Sequence, residues 1–135
     1  MSVIRLLPAW LHAVADYAVG ALLIIVSLAV GGSTGAVGTG VVVGATVLVV
    51  SMFTRYPLGV AKVLPFTVHS AGDYLAATLL LVAPFAVHFN HGDRGLTIYY
   101  VINGLAVLAV SLITNYQYSP KRAWTATKSA TTLAA

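Results

Sequence analysis

Residues 5–17 of the chain read RLLPAWLHAVADY, and residues 62–74, which lie 57 positions later, read KVLPFTVHSAGDY. The two stretches share a basic residue, a Leu-Pro pair, a histidine and an Asp-Tyr pair at the same spacing. Over residues 4–30 and 61–87 the comparison gives nine identities in 27 positions without a gap. Apolar sequence of low complexity produces chance matches of Val and Leu, but it does not readily produce this polar pattern. The sequence therefore indicates an internal duplication.

The stretches that follow the two copies also match each other. Residues 41–56 and 101–116 are identical at eight of 16 positions, at an offset of 60. The offset grows by three because the loop before the last apolar stretch is three residues longer than its counterpart. We therefore predict a first repeat at residues 1–60, a second repeat at 61–118 and a basic tail at 119–135.

The composition of the chain favours a membrane environment. Hydrophobic residues make up 59% of the 135 residues and charged residues only 7%, with a mean hydropathy of +0.94. An ordinary soluble domain carries about 25% charged residues. A soluble fold of this size also has too little interior to bury so much apolar surface. We therefore expect the lipid bilayer to surround the chain.

Four apolar stretches have the length of about 20 residues that a membrane-spanning helix needs. They lie at about 9–30, 36–54, 65–88 and 96–117. Each repeat crosses the membrane twice, so both copies have the same orientation. The predicted fold is an all-α membrane protein whose four transmembrane helices form two helical hairpins in a parallel repeat.

The distribution of lysine and arginine predicts the orientation, because cytoplasmic loops carry an excess of these residues. Arg94 stands alone in the loop between the last two spans. The other six basic residues fall on the opposite side of the predicted membrane: Arg5, Arg55, Lys62, Lys121, Arg122 and Lys128. We predict an integral protein of the inner membrane with both termini, and the tail, in the cytoplasm.

Several aromatic residues lie near the ends of the predicted spans. This position is typical of an interfacial aromatic belt. The residues are Trp10, Tyr56, Tyr99, Tyr100, Tyr116 and Tyr118.

The repeated polar residues are the candidate functional site. His12 and Asp16 are four residues apart, as are His69 and Asp73, and this spacing places each pair on one helix face. An aspartate inside a membrane costs roughly 2.5–3.5 kcal/mol on insertion scales and marks a functional site by default. Because the repeats are parallel, we expect both pairs to lie at the same depth and to act together.

Several kinds of chemistry fit these four residues. Two histidines and two aspartates form an N2O2 ligand set for zinc, iron or manganese, and four-helix bundles build metal sites in this way. They also suit a proton or cation relay. A haem held by His12 and His69 is a further alternative. Hydrogen bonds from neighbouring helices, which hold membrane helices together, would instead make the chain an accessory or oligomer-forming subunit.

Other functions are excluded or disfavoured by the residues that the chain lacks. It has no cysteine, which excludes disulfides, thiolate zinc sites, iron–sulfur clusters and a cysteine nucleophile. The scattered basic residues do not form a surface for nucleic acid. No phosphate-binding loop or nucleophile motif is present, so enzymatic activity would require a metal. The expected partners are the lipid bilayer and a homo-oligomer or larger membrane complex.

The second span contains a sequence motif that is typical of helix packing. Gly40 and Gly44 form a small-xxx-small motif, which permits close approach of two helices. The motif predicts packing inside the monomer or, as the alternative, a dimer contact.

The two-span repeat also carries a small-Pro-aromatic triplet, Ala83-Pro84-Phe85, late in the third span. In this layout the chain resembles the SPW-repeat family of small bacterial membrane proteins. The matching positions in the first repeat, Val26-Ser27-Leu28, lack the proline and the aromatic residue, and the second copy ends in Phe where the family has Trp. The resemblance implies a bacterial inner-membrane protein built from helical hairpins, and it implies no particular biochemical role.

Overall fold

The computed structural model describes residues 6–116 and contains four α-helices in that range. Helix α1 is Ala9–Val30, α2 is Thr34–Phe53, α3 is Phe66–Ala86 and α4 is Arg94–Ile113. All four are long and apolar enough to cross a membrane. The predicted all-helical fold with four spans is therefore confirmed, and the chain is an integral membrane protein. The predicted tail at 119–135 lies outside the described residues.

The ends of α2 differ slightly from the predicted 36–54. The helix begins two residues earlier because Ser33 caps it: the Ser33 hydroxyl accepts a hydrogen bond from the backbone N–H of Ala36 at 3.2 Å. Serine is a preferred residue at this position because it satisfies a donor that the first turn leaves open. The helix ends one residue earlier than predicted because Thr54 has an extended backbone.

The last two helices are also shorter or shifted relative to the predicted 65–88 and 96–117. Pro65 stands before the first residue of α3 with an extended backbone. His88 takes a positive φ of 62°, so the chain has left the helix by this residue. The fourth helix starts two residues earlier than predicted, and Thr114, which has an extended backbone, ends it at residue 113.

The helices pack as a four-membered bundle. Helix α1 packs mainly along α2, and α3 packs mainly along α4. Helices α2 and α3 contact each other, and smaller contacts join α4 to α1 and to α2. Helices α1 and α3 lie diagonally opposite and meet only through side chains that reach the middle of the bundle. The duplication, and the assignment of these helices to two repeats, stay predictions at this point.

The small residues of α2 allow it to approach α1 closely. A Cβ atom added at Gly44 would lie 2.6 Å from the carbonyl oxygen of Gly20, a separation that no real side chain tolerates. Gly40 faces the Ser27 and Tyr100 side chains in the same way. The small-xxx-small motif therefore serves packing inside the monomer, as the first of its two predicted uses requires.

One end of the bundle is closed by two short pairings of extended backbone. Leu7, just before α1, forms a parallel bridge with Thr114, just after α4. Thr54, just after α2, forms a parallel bridge with Leu64, shortly before α3. Helices α1 and α3 therefore begin at the end of the bundle where α2 and α4 finish. These two pairings hold one end of each of the four helices together at the same end of the bundle.

The predicted interfacial belt is wrong for three of its tyrosines. Tyr56 and Tyr100 are fully buried, and Tyr116 is only 5% exposed. Their hydroxyls find hydrogen-bond partners inside the bundle, so these rings turn inward. Trp10 is 55% exposed, as a belt residue would be, and Tyr118 lies outside the described residues.

Candidate metal centre

All four predicted site residues come together at the closed end of the bundle. His12 and Asp16 lie in the first turns of α1, and His69 and Asp73 lie in the first turns of α3. The histidines are 1% and 2% exposed, and the aspartates are 9% and 8% exposed. Because α1 and α3 are diagonal neighbours, these side chains fill the space between them.

The ligand-type atoms of the four residues face one another. The Nε2 atom of His12 lies 3.4 Å from Asp16 Oδ2 and 3.2 Å from Asp73 Oδ2. The Nε2 atom of His69 lies 3.1 Å from Asp16 Oδ2 and 3.1 Å from Asp73 Oδ1. The two Nε2 atoms are 3.4 Å apart. One ligand atom from each residue can be chosen so that all four lie within 4.8 Å of one another.

These separations are close to the edges of a tetrahedral metal site. Zinc bonds to histidine nitrogen and carboxylate oxygen are about 2.0–2.2 Å long, which places the corners of the tetrahedron about 3.3–3.6 Å apart. The N–O and N–N separations in the cluster run from 3.1 to 3.4 Å, and Asp73 meets His12 through Oδ2 and His69 through Oδ1. One ligand atom from each side chain can therefore come within reach of a single ion.

A threonine from another helix sets the orientation of each histidine ring. His12 Nδ1 lies 2.9 Å from Thr114 Oγ1, and His69 Nδ1 lies 2.8 Å from Thr54 Oγ1. Each threonine hydroxyl also lies 2.7 Å from the carbonyl oxygen of the residue four positions earlier. A carbonyl only accepts, and a hydroxyl has one proton, so each threonine must accept its second hydrogen bond from the histidine Nδ1–H.

The position of this proton decides what the cluster can do. With the proton on Nδ1, a neutral imidazole carries its free electron pair on Nε2. In this neutral form both Nε2 pairs point at the two carboxylates and at each other, and acceptors alone line the centre, whereas a doubly protonated ring would donate its Nε2–H to a carboxylate. The neutral form therefore needs a cation at its middle. Histidine ligands of metals are commonly oriented in this way, by a hydrogen bond on the ring nitrogen that does not bind the ion.

A tyrosine hydroxyl holds each carboxylate from the outside. Tyr56 donates to Asp16 Oδ2 at 3.3 Å, and Tyr116 donates to Asp73 Oδ2 at 2.6 Å. Burial is the main cause that raises the pKa of each of these two phenols well above its ordinary value. Both tyrosines therefore keep their protons near neutral pH and remain donors. They fix the carboxylates without adding charge to the site.

The threonine pair and the tyrosine pair that orient the site are visible in the sequence, but their residue types do not mark them as site residues. Thr54 and Tyr56 are identical to Thr114 and Tyr116 at the offset of 60. In the sequence these residues indicate duplication, and the position of the tyrosines at span ends predicts an interfacial belt. A hydroxyl residue at the end of an apolar helix carries no charge that would single it out. The usable signal was that the same polar residues recur in both copies beside the same span end.

The bis-histidine haem fails on geometry. A haem held by two axial histidines requires the flat macrocycle to lie between their ring nitrogens. The Nε2 atoms of His12 and His69 are 3.4 Å apart, and the carboxylates of Asp16 and Asp73 occupy the positions around them. No space for a macrocycle exists between these side chains.

Fold and site together define a small membrane protein in which four apolar helices enclose a buried cluster of two histidines and two aspartates. No family model, no curated protein and no solved structure matches the chain. Function therefore has to be argued from the residues of this site.

Proposed function

We propose that the protein binds one transition-metal ion inside the membrane, through the Nε2 atoms of His12 and His69 and the carboxylates of Asp16 and Asp73. The observation that carries this proposal is the set of four buried ligand atoms within 4.8 Å of one another. Bound in this way, a divalent ion balances the two negative carboxylates. The bilayer then surrounds a neutral site, which lowers the cost of holding two aspartates at this depth.

Direct ion pairing between the histidines and aspartates explains the distances less well. A charge-assisted N–H···O hydrogen bond is about 2.7–2.9 Å long, whereas the four histidine–aspartate contacts are 3.1–3.4 Å. Each Nε2 also lies almost equally far from both carboxylates, although a single N–H points at one acceptor. Equal distances to all partners are what a shared central ion produces.

Zinc is the ion that the ligand set favours. It binds four nitrogen and oxygen ligands in a tetrahedron, with no preference imposed by its d electrons. Manganese and magnesium prefer six oxygen ligands in an octahedron. Iron accepts the same residue types, but its two-histidine, one-carboxylate sites leave positions open. We assign no catalytic step to these residues, since four protein ligands complete a closed zinc site.

The proposal includes the arrangement of the two repeats. Two hydrogen bonds between the predicted repeats support this arrangement. Thr114 of the second repeat bonds the histidine of the first, and Thr54 of the first repeat bonds His69 of the second. Such exchange is expected of two parallel hairpins related by a twofold axis along the membrane normal. Together with the basic residues, it favours a site in the cytoplasmic half of the inner membrane, with both termini in the cytoplasm.

The test is the metal content of the full-length protein, purified in mild detergent without exposure to a chelator. We expect about one zinc ion per chain by elemental analysis. The double variant Asp16→Asn, Asp73→Asn should lose the metal, because an amide is a far weaker ligand for zinc than a carboxylate. Asp93→Asn is the matched control: it removes the third aspartate of the chain, at the other end of the bundle, and should keep the full zinc content.

A second reading on the same samples distinguishes a metal site from structural contacts. Far-ultraviolet circular dichroism reports whether the double variant remains helical. A helical double variant without zinc supports the proposal. Wild-type protein that takes up no zinc on titration, with a double variant that loses helicity or assembly, would instead make the cluster a set of structural hydrogen bonds in an accessory or oligomer-forming subunit.

A further inference from the structure

Two clefts run from the side of the bundle to the metal centre. The α2–α3 cleft, between the helices of that name, has a volume of about 200 Å³ and reaches His69 and Asp73. The α1–α4 cleft has a volume of about 50 Å³ and reaches His12 and Asp16. Both open between membrane-spanning helices, so what reaches the metal centre through them comes from the lipid phase.

The difference in size accompanies two differences in the sequence. At the offset of 57, Gly72 of α3 stands where α1 has Ala15, and Ala76 stands where α1 has Val19. Gly72 lines only the α2–α3 cleft, Ala15 and Val19 line only the α1–α4 cleft, and Ala76 lines both. Space that Ala15 and Val19 fill beside α1 is therefore left open beside Gly72 of α3. A Cβ atom added at Gly72 would meet only Val50, at 4.0 Å, so the space beside this glycine is open.

The α2–α3 cleft has an apolar mouth and a polar base. Val42, Leu75 and Leu79 at the mouth are between 45% and 65% exposed, which places them against lipid. His69 and Asp73 at the base are almost completely buried. A molecule that fills the cleft therefore needs an apolar chain at one end and a polar group at the other.

The charged side chains that line the cleft, and those that are missing from it, limit which polar head group can bind at its base. The residues lining the α2–α3 cleft include no lysine or arginine, so no cationic side chain is there to pair with a phosphate or carboxylate head. The Thr46 hydroxyl is already engaged as a donor to the carbonyl oxygen of Val42 at 2.8 Å. Asp73 Oδ2 accepts from Tyr116, and a carboxylate has about four lone-pair sites, so Asp73 can bind the ion and still accept from a neutral hydroxyl.

We propose that the α2–α3 cleft binds a neutral single-chain lipid with a hydroxyl head. The hydroxyl donates to the carboxylate of Asp73 at the base, and the chain lies against the valines of α2 and the small residues of α3. This assignment rests on the proposed function, since it names the class of molecule that approaches the metal centre from the membrane. Its binding energy comes from apolar burial along the cleft, with the hydroxyl fixing the orientation.

The test uses the full-length protein in lipid nanodiscs and a long-chain alcohol that carries a photoreactive diazirine in its chain. After illumination, mass spectrometry locates the labelled residues. We expect labelling concentrated on the facing segments of α2 and α3, residues 42–50 and 72–79, and competition by the unlabelled alcohol. A fatty acid of equal length should compete about tenfold less well, the factor that corresponds to a loss of about 1.4 kcal/mol.

Two glycine variants make the test specific to the cleft. Gly72→Leu fills the cleft with a side chain and should reduce the labelling by about tenfold or more. Gly38→Leu is the matched control: it makes the same change on α2, where an added Cβ atom meets nothing within 4 Å, and it should leave the labelling unchanged. If the leucine variant at residue 72 does not fold, Gly72→Ala replaces it, with a smaller reduction expected.

Zinc content is measured on the same preparations, so the two proposals fail separately. Labelling in the cleft that Gly72→Leu abolishes supports the lipid site, whether or not zinc is found. Labelling spread evenly over the lipid-facing residues of all four helices would overturn it. So would labelling that a folded Gly72→Leu variant retains in full, or equal competition by the fatty acid. Absence of zinc with specific labelling would overturn the metal proposal alone.

Discussion

The two ends of the bundle use polar residues in different ways. At the end where α1 and α3 begin, the buried polar contacts of the two histidines and two aspartates occur in matched pairs. Thr114 accepts from His12 as Thr54 accepts from His69. The tyrosine–aspartate contacts are also paired, although each of them joins two residues of the same predicted repeat. The matching residues are identical in the two copies of the sequence.

At the opposite end each polar contact occurs once. The Tyr100 hydroxyl donates to the carbonyl oxygen of Ala36 at 2.7 Å and lies 2.8 Å from the Ser27 hydroxyl. At the matched positions of the other copy stand Gly40 and Pro84, which have no hydroxyl to offer. Gly40 is itself part of the single contact, because a side chain there would collide with Ser27 and Tyr100.

On the predicted duplication, the comparison indicates which positions the two copies keep alike and which they do not. Residues that face a ligand bound between the two halves have to match, because each half presents the same side chains to that ligand. Residues at the other end have only to be buried and hydrogen-bonded, and a single arrangement satisfies that need. The paired end therefore indicates a common ligand, and the unpaired end indicates packing.

The largest effect that separates the ends is expected from the threonines. In the double variant Thr54→Val, Thr114→Val, the histidine rings lose the acceptors of their Nδ1 protons, and zinc affinity should fall about 10–100-fold for each orienting bond removed. The measurement is competition for zinc with a chromophoric chelator. Thr54→Ser with Thr114→Ser keeps both hydroxyls and should restore most of the affinity.

Thr39→Val is the control for this prediction. Thr39 makes the same hydrogen bond to the carbonyl four residues earlier, at 2.7 Å, and it lies near the opposite end of the bundle from the two histidines. Its replacement should leave zinc affinity within about twofold, since surface-type changes of this kind alter free energies by about 0.5 kcal/mol or less. Equal losses in the control and in the double variant would show that the threonines act on stability and not on the ligands.

At the unpaired end we expect a moderate loss of stability without a loss of zinc. Tyr100→Phe removes the hydroxyl that joins α4 to α1 and α2, and should cost about 0.6–1.7 kcal/mol of stability, the range found for hydrogen bonds between membrane helices. The midpoint of unfolding in mixed micelles measures this loss. Zinc content should remain at about one ion per chain; a loss of zinc would contradict the separation of the two ends.

The smallest effect tests how equal the two halves of the site are. Tyr116 donates to Asp73 at 2.6 Å, whereas Tyr56 donates to Asp16 at 3.3 Å. We expect Tyr116→Phe to weaken zinc binding several-fold and Tyr56→Phe to weaken it less, because a short hydrogen bond to a charged acceptor is worth about 1.5–3 kcal/mol at most and a long one is worth less. Chelator competition on the two single variants ranks them. The reverse order would mean that the halves differ in a way that these distances do not describe.

Much of the fold was accessible from the sequence because membrane insertion depends on composition and length. Four apolar stretches predicted four spans. The first helix has the predicted ends, and the ends of the other three differ by one to four residues, where residues such as Ser33 and Thr114 begin or end the helix. The four site residues were also accessible, since His12, Asp16, His69 and Asp73 recur at fixed spacing in an otherwise apolar sequence. Polar residues are conspicuous when almost nothing else is polar.

The features that sequence analysis missed all depend on which face of a helix meets which neighbour. Tyr56 and Tyr116 lie at span ends, as belt residues do, and their sequence position does not reveal that they turn inward. The small size of Gly72 and Ala76 can be related to a cleft only once α3 is known to face α2 across it. Low periodicity in strongly apolar helices removes the usual signal of an inner face, so these contacts become visible only in three dimensions.

The exchange of threonines between the two halves has a consequence for biosynthesis. His12 is synthesised before Thr114, whose hydroxyl orients its ring and which lies more than a hundred residues later in the chain. The first hairpin, inserted alone, therefore carries one histidine without its orienting acceptor and only half of the ligands. On the proposed metal function, complete zinc loading would wait until the fourth helix has been inserted, and a chain interrupted before that helix would leave the site incomplete.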